Sequence, residues 1–263
     1  MQKSTRKLIA VGDVHGQFEG FVKILRHSGL IDKNHHWCGG HNRLVQIGDI
    51  LDRGPFSLKV DMLLDKLQAE AEVAGGEVIR LIGNHELELI MENYLISEFQ
   101  REQAMQIREK LIGQVLAGDF KAAYAYKGFL FTHAGVTQKL FRIFSLQLED
   151  PNPANLALLI NLIFKESIKH AFFKHPIFNI SISRKGPDRF GGIFWEDLED
   201  LVDSYPQGSP VWQIFGHTPV EDMVIDRVMN MIALDVGMHR KLQYLEINDQ
   251  GVPTIISLQP SGL

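Results

Sequence analysis

Six residues of three types stand at corresponding places along this chain: Asp13, His15, Asp49, Asn84, His133 and His217. The first four follow short apolar runs that end in glycine, as in Val11-Gly12-Asp13-Val14-His15, Ile47-Gly48-Asp49 and Ile82-Gly83-Asn84-His85. The last two sit in Thr132-His-Ala-Gly135 and Gly216-His-Thr-Pro219. Two carboxylates, one carboxamide and three imidazoles make a mixed oxygen and nitrogen donor set, suited to a pair of divalent transition ions. For two ions to share it, one carboxylate must bridge. Asp49, in the middle of the set, is the natural bridge, because its two oxygens can each take one cation of a closely spaced pair.

The neighbours of these residues extend the chemistry towards a phosphate ester. Arg53, in Gly48-Asp-Ile-Leu-Asp-Arg-Gly54, offers a planar fork matched to phosphate oxygens. His85 adjoins a ligand without needing to be one, so it is free to protonate a departing alkoxide, with Asp52 holding its ring and favouring the imidazolium. Two cations would lower the pKa of an attacking water and neutralise the ester, whose own charge repels hydroxide. Glycine recurs beside the ligands, where the backbone must turn sharply and come close to ions and an anion.

Such residues need strand ends to hold them. The runs Lys7 to Val11, Leu44 to Ile47 and Val78 to Ile82 are short, apolar and bounded by glycine, and read as buried strands. Each is followed by a helical segment; after the second, Val60, Leu63, Leu64, Leu67 and Ala71 share one helical face, with Pro55 near its start. Strand, glycine turn and helix, three times over, predict a parallel sheet with crossover helices, whose ligands bind beyond the carboxyl ends of the strands. Residues 86 to about 125 read as a helical insertion over those ends. Gly128 to Thr132 reads as a further strand, and the apolar stripe from Leu156 to Phe172 as a core helix opened by Pro153. In the last third, Val211 to Phe215, Met223 to Val228, Met231 to Leu234, Leu242 to Ile247 and Thr254 to Leu258 predict a run of hairpins or a second sheet. No linker or internal repeat divides the chain, so one domain over residues 1–263 is expected.

Composition narrows the function classes. The chain has 263 residues, 45% hydrophobic and 22% charged, enough to bury a sizeable core. Its 27 Lys and Arg against 32 Asp and Glu leave a net charge of −5, contrary to what a duplex nucleic-acid binder needs. A single cysteine, Cys38, allows no internal disulfide, and no apolar stretch is long enough for a signal peptide or a membrane span, so a cytoplasmic address without membrane partners is expected. His35, His36, His41 and Cys38 lack the paired spacing of a zinc site and read as a polar loop. Cys38 has no base to activate it as a nucleophile. Asp235, in Leu234-Asp-Val-Gly237, reads equally as a strand-end turn or as support behind the ligands.

Gly12-Asp-Val-His-Gly16, Gly48-Asp-Ile-Leu-Asp-Arg-Gly54 and Gly83-Asn-His-Glu86 place Asp13, Asp49 and Asn84 at intervals of 36 and 35 residues. They resemble the three-part motif of the phosphoprotein phosphatases, members of the calcineurin-like metallophosphoesterases. The two later histidine motifs resemble the last two of that family. The match runs from Gly12 to about Gly237, and Phe194-Trp195 together with the chain length resembles the bacterial-type, Shewanella-like branch. The resemblance implies an α/β fold, a central β-sandwich flanked by helices in α/β/β/α layers. It implies one metal held by Asp13, His15 and Asp49 and another by Asp49, Asn84, His133 and His217, with manganese favoured and iron or zinc as alternatives. It implies direct attack by a metal-bridging hydroxide, phosphate binding by Arg53, Asn84 and His85, and proton donation by His85 oriented by Asp52. The family's second phosphate-binding arginine, which follows a tryptophan, is absent from Ile193-Phe-Trp-Glu-Asp197; Arg189, or Arg184, is expected to supply that charge.

The function so implied is a metal-dependent phosphoprotein phosphatase acting on phosphoserine, phosphothreonine and also phosphotyrosine in a protein or peptide partner. The alternatives are a small-molecule phosphohydrolase such as a dinucleoside polyphosphate hydrolase, and a non-catalytic metal-binding scaffold. Against the scaffold, every ligand and the proton donor are present. The oligomeric state is not written in these residues.

Overall fold

Apolar strands ending in glycine stack here into two sheets that share their functional edge. The structure, a computed structural model, describes residues 6–93 and 97–259. The chain begins β1 (Leu8–Val11), α1 (Phe18–His27), β2 (Arg43–Gln46), α2 (Ser57–Val73) and β3 (Glu77–Leu81), the expected alternation. Then come α3 (Asn84–Ile90), α4 (Arg101–Ala117), β4 (Phe120–Lys121), β5 (Ala123–Tyr126) and β6 (Phe129–Thr132). After α5 (Gln138–Ser145), α6 (Pro153–His170) and α7 (Leu198–Asp203), the chain closes with β7 (Trp212–Phe215), β8 (Val224–Asp226), β9 (Met231–Ala233), β10 (Gln243–Ile247) and β11 (Pro253–Ser257).

One sheet has the order β11-β10-β1-β2-β3-β4 and the other β5-β6-β7-β9-β8. β1 to β4 run parallel, as crossover helices require, and β10 joins β1 antiparallel. Alternation along each strand builds the layers. Leu8 and Ala10 of β1 and Ile79 and Leu81 of β3 face Phe129, Phe131, Ile214 and Ile232 of the other sheet, forming the core between them. Ile9, Val11, Val78 and Leu130 point the other way, into the helix-covered core. Phe215, Met231 and Ala233 pack instead under Leu201 of α7. The result is the expected α/β/β/α arrangement.

Buried Arg80 on β3 ties the layers with charge. It pairs with Asp61 and Asp65 of α2, lies over the Phe120 ring at 4.1 Å, and shares both carboxylates with Lys110 of α4. Among the described residues no helix is long and apolar enough to cross a membrane.

Three expectations change. The helical pattern read over 86–125 resolves into α3 and α4, with 94–96 outside the described residues, and from Phe120 the chain turns to strand. Alanine's helix propensity masks Ala123-Tyr-Ala-Tyr126, which a tertiary contact fixes as strand: the Asn161 carboxamide of α6 accepts from the Ala122 and Ala123 amides and donates to the Ala123 carbonyl. α6 stops at His170, because Ala171 adopts a left-handed φ of 48°, leaving Phe172 exposed rather than in the core. The last third is neither a hairpin run nor one sheet: β7, β8 and β9 complete the second sheet, whereas β10 and β11 return to the first.

Candidate metal centre and catalytic cleft

Every expected ligand lies just past the carboxyl end of a strand. Asp13 and His15 follow β1, Asp49 follows β2, and Asn84 opens α3 after β3; His133 and His217 follow β6 and β7 of the other sheet. The set therefore straddles both sheets. Asp13 Oδ1 accepts from the His217 amide at 3.1 Å, joining them directly.

The turns that carry the site are strained in the backbone. His15, Asp49, Asp52, Arg53 and His217 all have φ between 42° and 67°, a region L-residues seldom occupy unless their surroundings enforce it. Glu86 does much of the enforcing. Its Oε2 accepts from the Asp49 and Gly83 amides, both at 2.9 Å, and its Oε1 from Ile50 and Leu51 at 3.0 and 3.1 Å. Gly83 is required by close approach, since a Cβ there would lie 2.1 Å from Asp49 Oδ1.

The donor atoms form two groups joined at Asp49. His15 Nε2 lies 3.4 Å from Asp49 Oδ2 and 4.0 Å from Asp13 Oδ2. On the other side, Asn84 Oδ1 sits 3.0 Å from His133 Nε2 and 2.9 Å from His217 Nδ1, with Asp49 Oδ1 3.6 Å from His133 Nε2. The fit to cations can be tested on proton placement. His15 Nδ1 lies 2.8 Å from the Leu51 carbonyl and His133 Nδ1 3.0 Å from that of Ile47; a carbonyl only accepts, so both Nδ1 atoms carry the proton. Each Nε2 then turns a lone pair towards carboxylate and carboxamide oxygens. Acceptors facing acceptors need a cation between them. Asp13 Oδ2 and His15 Nε2 are buried without any hydrogen-bond partner, as ligand atoms would be.

The protonation states agree. Burial holds His15 and His133 below the ordinary imidazole range and His217 well below it, leaving neutral, ligating rings. Burial opposes the Asp49 charge, yet the carboxyl is held below its ordinary range and stays ionised, facing the imidazolium favoured on His85, whose backbone amide donates to its Oδ1. Burial together with Asp235 and Asp49 raises Asp13 well above the carboxylate range, a concentration of negative charge that divalent cations would relieve.

His85 stands beside this set. Its Nδ1 lies 2.8 Å from Asp52 Oδ2, its backbone amide donates to Asp49 Oδ1, and Asp52 Oδ1 takes the Glu98 amide, so the pair is fixed at both ends. Burial lowers the affinity of His85 for a proton, yet Asp49 and Asp52 raise it more, favouring the imidazolium. A cleft of about 560 Å³ opens over the ligands, lined by Asp13, His15, Gln17, Arg53, Asp235 and Arg240 among others.

The arginines sort differently from expectation. Arg53 lines the cleft, but Arg189 is exposed, its guanidinium 5.1 Å over the Phe190 ring, because the chain reverses through left-handed Lys185 and a bridge between Ser181 and Asp188. Arg184 pairs with Asp197 at 3.0 Å and donates to Thr218, next to His217. The second guanidinium at the cleft belongs to Arg240, which sequence reasoning missed: it lies in the loop before β10, away from any motif. Glu86 was likewise read only as the end of a motif. Trp195 packs edge-on against His217, at 5.7 Å. Asp235 accepts from the Gly237 amide, as a strand-end turn does, and lines the cleft.

The residues read as a polar loop turn to separate partners. His36 meets Glu70, His41 the Gly75 carbonyl and His35 the Phe18 ring, and burial raises the exposed Cys38 thiol away from the reactive thiolate.

Known proteins are similar to this chain over part or nearly all of its length. Shewanella-like protein phosphatase 2 of Arabidopsis thaliana is 46% identical over 81 residues, 31% of this chain and 21% of that protein, so this chain spans only a small part of that relative's length. Bis(5′-nucleosyl)-tetraphosphatase PrpE (asymmetrical) of Oceanobacillus iheyensis is 26% identical over 271 residues, 97% of this chain and 94% of that one. The solved cold-active protein-tyrosine phosphatase of a psychrophilic Shewanella species matches with a TM-score of 0.61 at 20% identity, over 96% of this chain and 80% of that chain, which shows a common fold. The calcineurin-like phosphoesterase family model matches residues 6–221, from the first strand past the last histidine of the ligand set, and this chain belongs to that family.

Proposed function

We propose that this chain is a metal-dependent protein phosphatase, hydrolysing phosphoserine, phosphothreonine and phosphotyrosine monoesters in protein or peptide partners. The observation that carries the reading is the His85 and Asp52 pair at 2.8 Å, set beside Asp49, whose Oδ1 takes the His85 amide. A monoester of serine leaves as a poor alkoxide, and such a leaving group needs a proton donor. One cation would be held by Asp13, His15 and Asp49 and the other by Asp49, Asn84, His133 and His217, with manganese as the proposed metal. When bound, the two ions would lower the pKa of the attacking water and neutralise the ester.

The chain's own residues supply the rest. Arg53 and Arg240 hold the phosphoryl oxygens from the open side, and Asn84 and His85 from the ligand side. With Nδ1 bonded to Asp52, His85 presents Nε2 to the leaving oxygen and gives it the proton. Asp52 keeps that ring oriented and charged. Cys38 stands alone, in keeping with a proposed cytoplasmic setting.

The 26% identity with PrpE over nearly the full chain favours a second reading, a dinucleoside polyphosphate hydrolase using the same residues. One assay separates them: inorganic phosphate released by the Mn²⁺-loaded protein from phosphoserine and phosphotyrosine peptides, beside the nucleotides (two ADP, or ATP and AMP) released from diadenosine tetraphosphate, with Asp49→Asn as the blank. Peptide turnover is the expected result. Turnover of the nucleotide alone would replace the first reading with the second.

A further inference from the structure

The active-site cleft continues past Arg240. That residue also lines a second cleft, of about 890 Å³, lying between α1 and the β10 and β11 side of the first sheet. Lys23 and Arg26, three residues apart on one face of α1, line it together with Arg240 and Lys241, against a single carboxylate, Asp222. Asp222 is already engaged, 2.6 Å from Lys241 Nζ and bonded to Gln243 as well. Among the described residues Lys23, Arg26 and Arg240 make no ion pair with any carboxylate. Arg26 and Arg240 are instead steadied by the carbonyls of Lys33 and Val220. Leu242 and Leu258 give the cleft an apolar floor.

In a chain of net charge −5, a surface with four cations and one carboxylate, a net excess of three positive charges, is a local field aimed at an anion. Each cleft alone matches a small-molecule site, and the two in series, joined through Arg240, suit an extended chain. We propose that the basic cleft binds Asp and Glu residues flanking the phosphorylated residue of a peptide substrate, so that the enzyme selects acidic phosphorylation sites. This rests on the protein-phosphatase reading.

The test separates the two claims by measuring binding without turnover. Fluorescence anisotropy of the Mn²⁺-loaded full chain would compare an unphosphorylated Glu-rich decapeptide with its Gln counterpart. The acidic peptide should bind about tenfold tighter, an advantage that salt weakens and that Lys23→Glu with Arg26→Glu abolishes. Both positions are exposed on α1, and Lys23→Gln with Arg26→Gln should give an intermediate loss in the same fold. Equal binding of the two peptides, or an unchanged preference in the double variant, would overturn the proposal. So would a double variant that weakens diadenosine tetraphosphate but not the peptide. If the acidic peptide binds as described but its phosphorylated form releases no phosphate, the phosphatase reading fails and the acidic-peptide cleft stands.

Discussion

At the scale of single residues, the proposed chemistry rests on one proton held in place. Asp52 fixes His85 at 2.8 Å and raises its hold on the proton, so the imidazolium matters in proportion to how poor the leaving group is. His85→Asn should therefore cut kcat/KM for a phosphoserine peptide by about 10³-fold and for p-nitrophenyl phosphate by far less. Steady-state kinetics on both substrates checks this, and equal losses would contradict proton donation. A second residue, away from the ligands, sets a pH dependence of stability. Glu196 is buried with Oε2 unpartnered; burial and the nearby Asp200 and Asp197 push its carboxyl up to about 8, while the Asp197 and Gly191 amides only partly offset them. The folded protein thus keeps a proton that the unfolded chain releases above its ordinary 4.5, and stability falls as pH rises from that value towards 8. Glu196→Gln, neutral throughout, should gain on the wild type across that range, by up to roughly 4 kcal/mol. Thermal denaturation at several pH values reads the difference, and parallel curves would refute it.

At the scale of elements, the strained turn after β2 depends on α3. Glu86 gives its two oxygens to four amides, so Glu86→Gln places an NH₂ group against two N–H donors. A loss of about 3 kcal/mol is expected, with metal affinity falling alongside, measured by denaturant titration and by metal titration. Unchanged affinity would show that the turn holds itself. The strand-end positions of the proposed ligands were legible in the sequence because each follows a short apolar run with glycine beside it, and such runs readily fold as buried strands. Nine strands were read within a residue or two for the same reason. β5 was hidden because Asn161, distant in sequence, fixes its first residue, and alanine argues for helix; β4 was hidden because two residues make it, held as strand by pairing with β3. Arg240 was hidden because a loop brings it to the cleft, with no periodicity or motif to announce it. Arg189 was misplaced because a sequence cannot show which way a loop reverses.

At the scale of the molecule, the ligand set belongs to neither sheet alone. Asp13, His15, Asp49 and Asn84 come from one and His133 and His217 from the other, so cations bound between them would clamp the sandwich at its functional edge. Mn²⁺ at a hundredfold excess over its Kd should raise stability by about 2.7 kcal/mol for each ion bound, and a chelator should remove the gain. Everything in this account turns on Asp49 serving two cations at once, with Oδ2 towards His15 and Oδ1 towards His133. The most direct measurement is the number of Mn²⁺ ions bound per chain, by calorimetric titration of the wild type and of Asp49→Asn. The account predicts two ions in the wild type and the loss of tight binding at both sites in the variant. A variant that still binds two ions tightly, or a wild type that binds one, would contradict the shared centre.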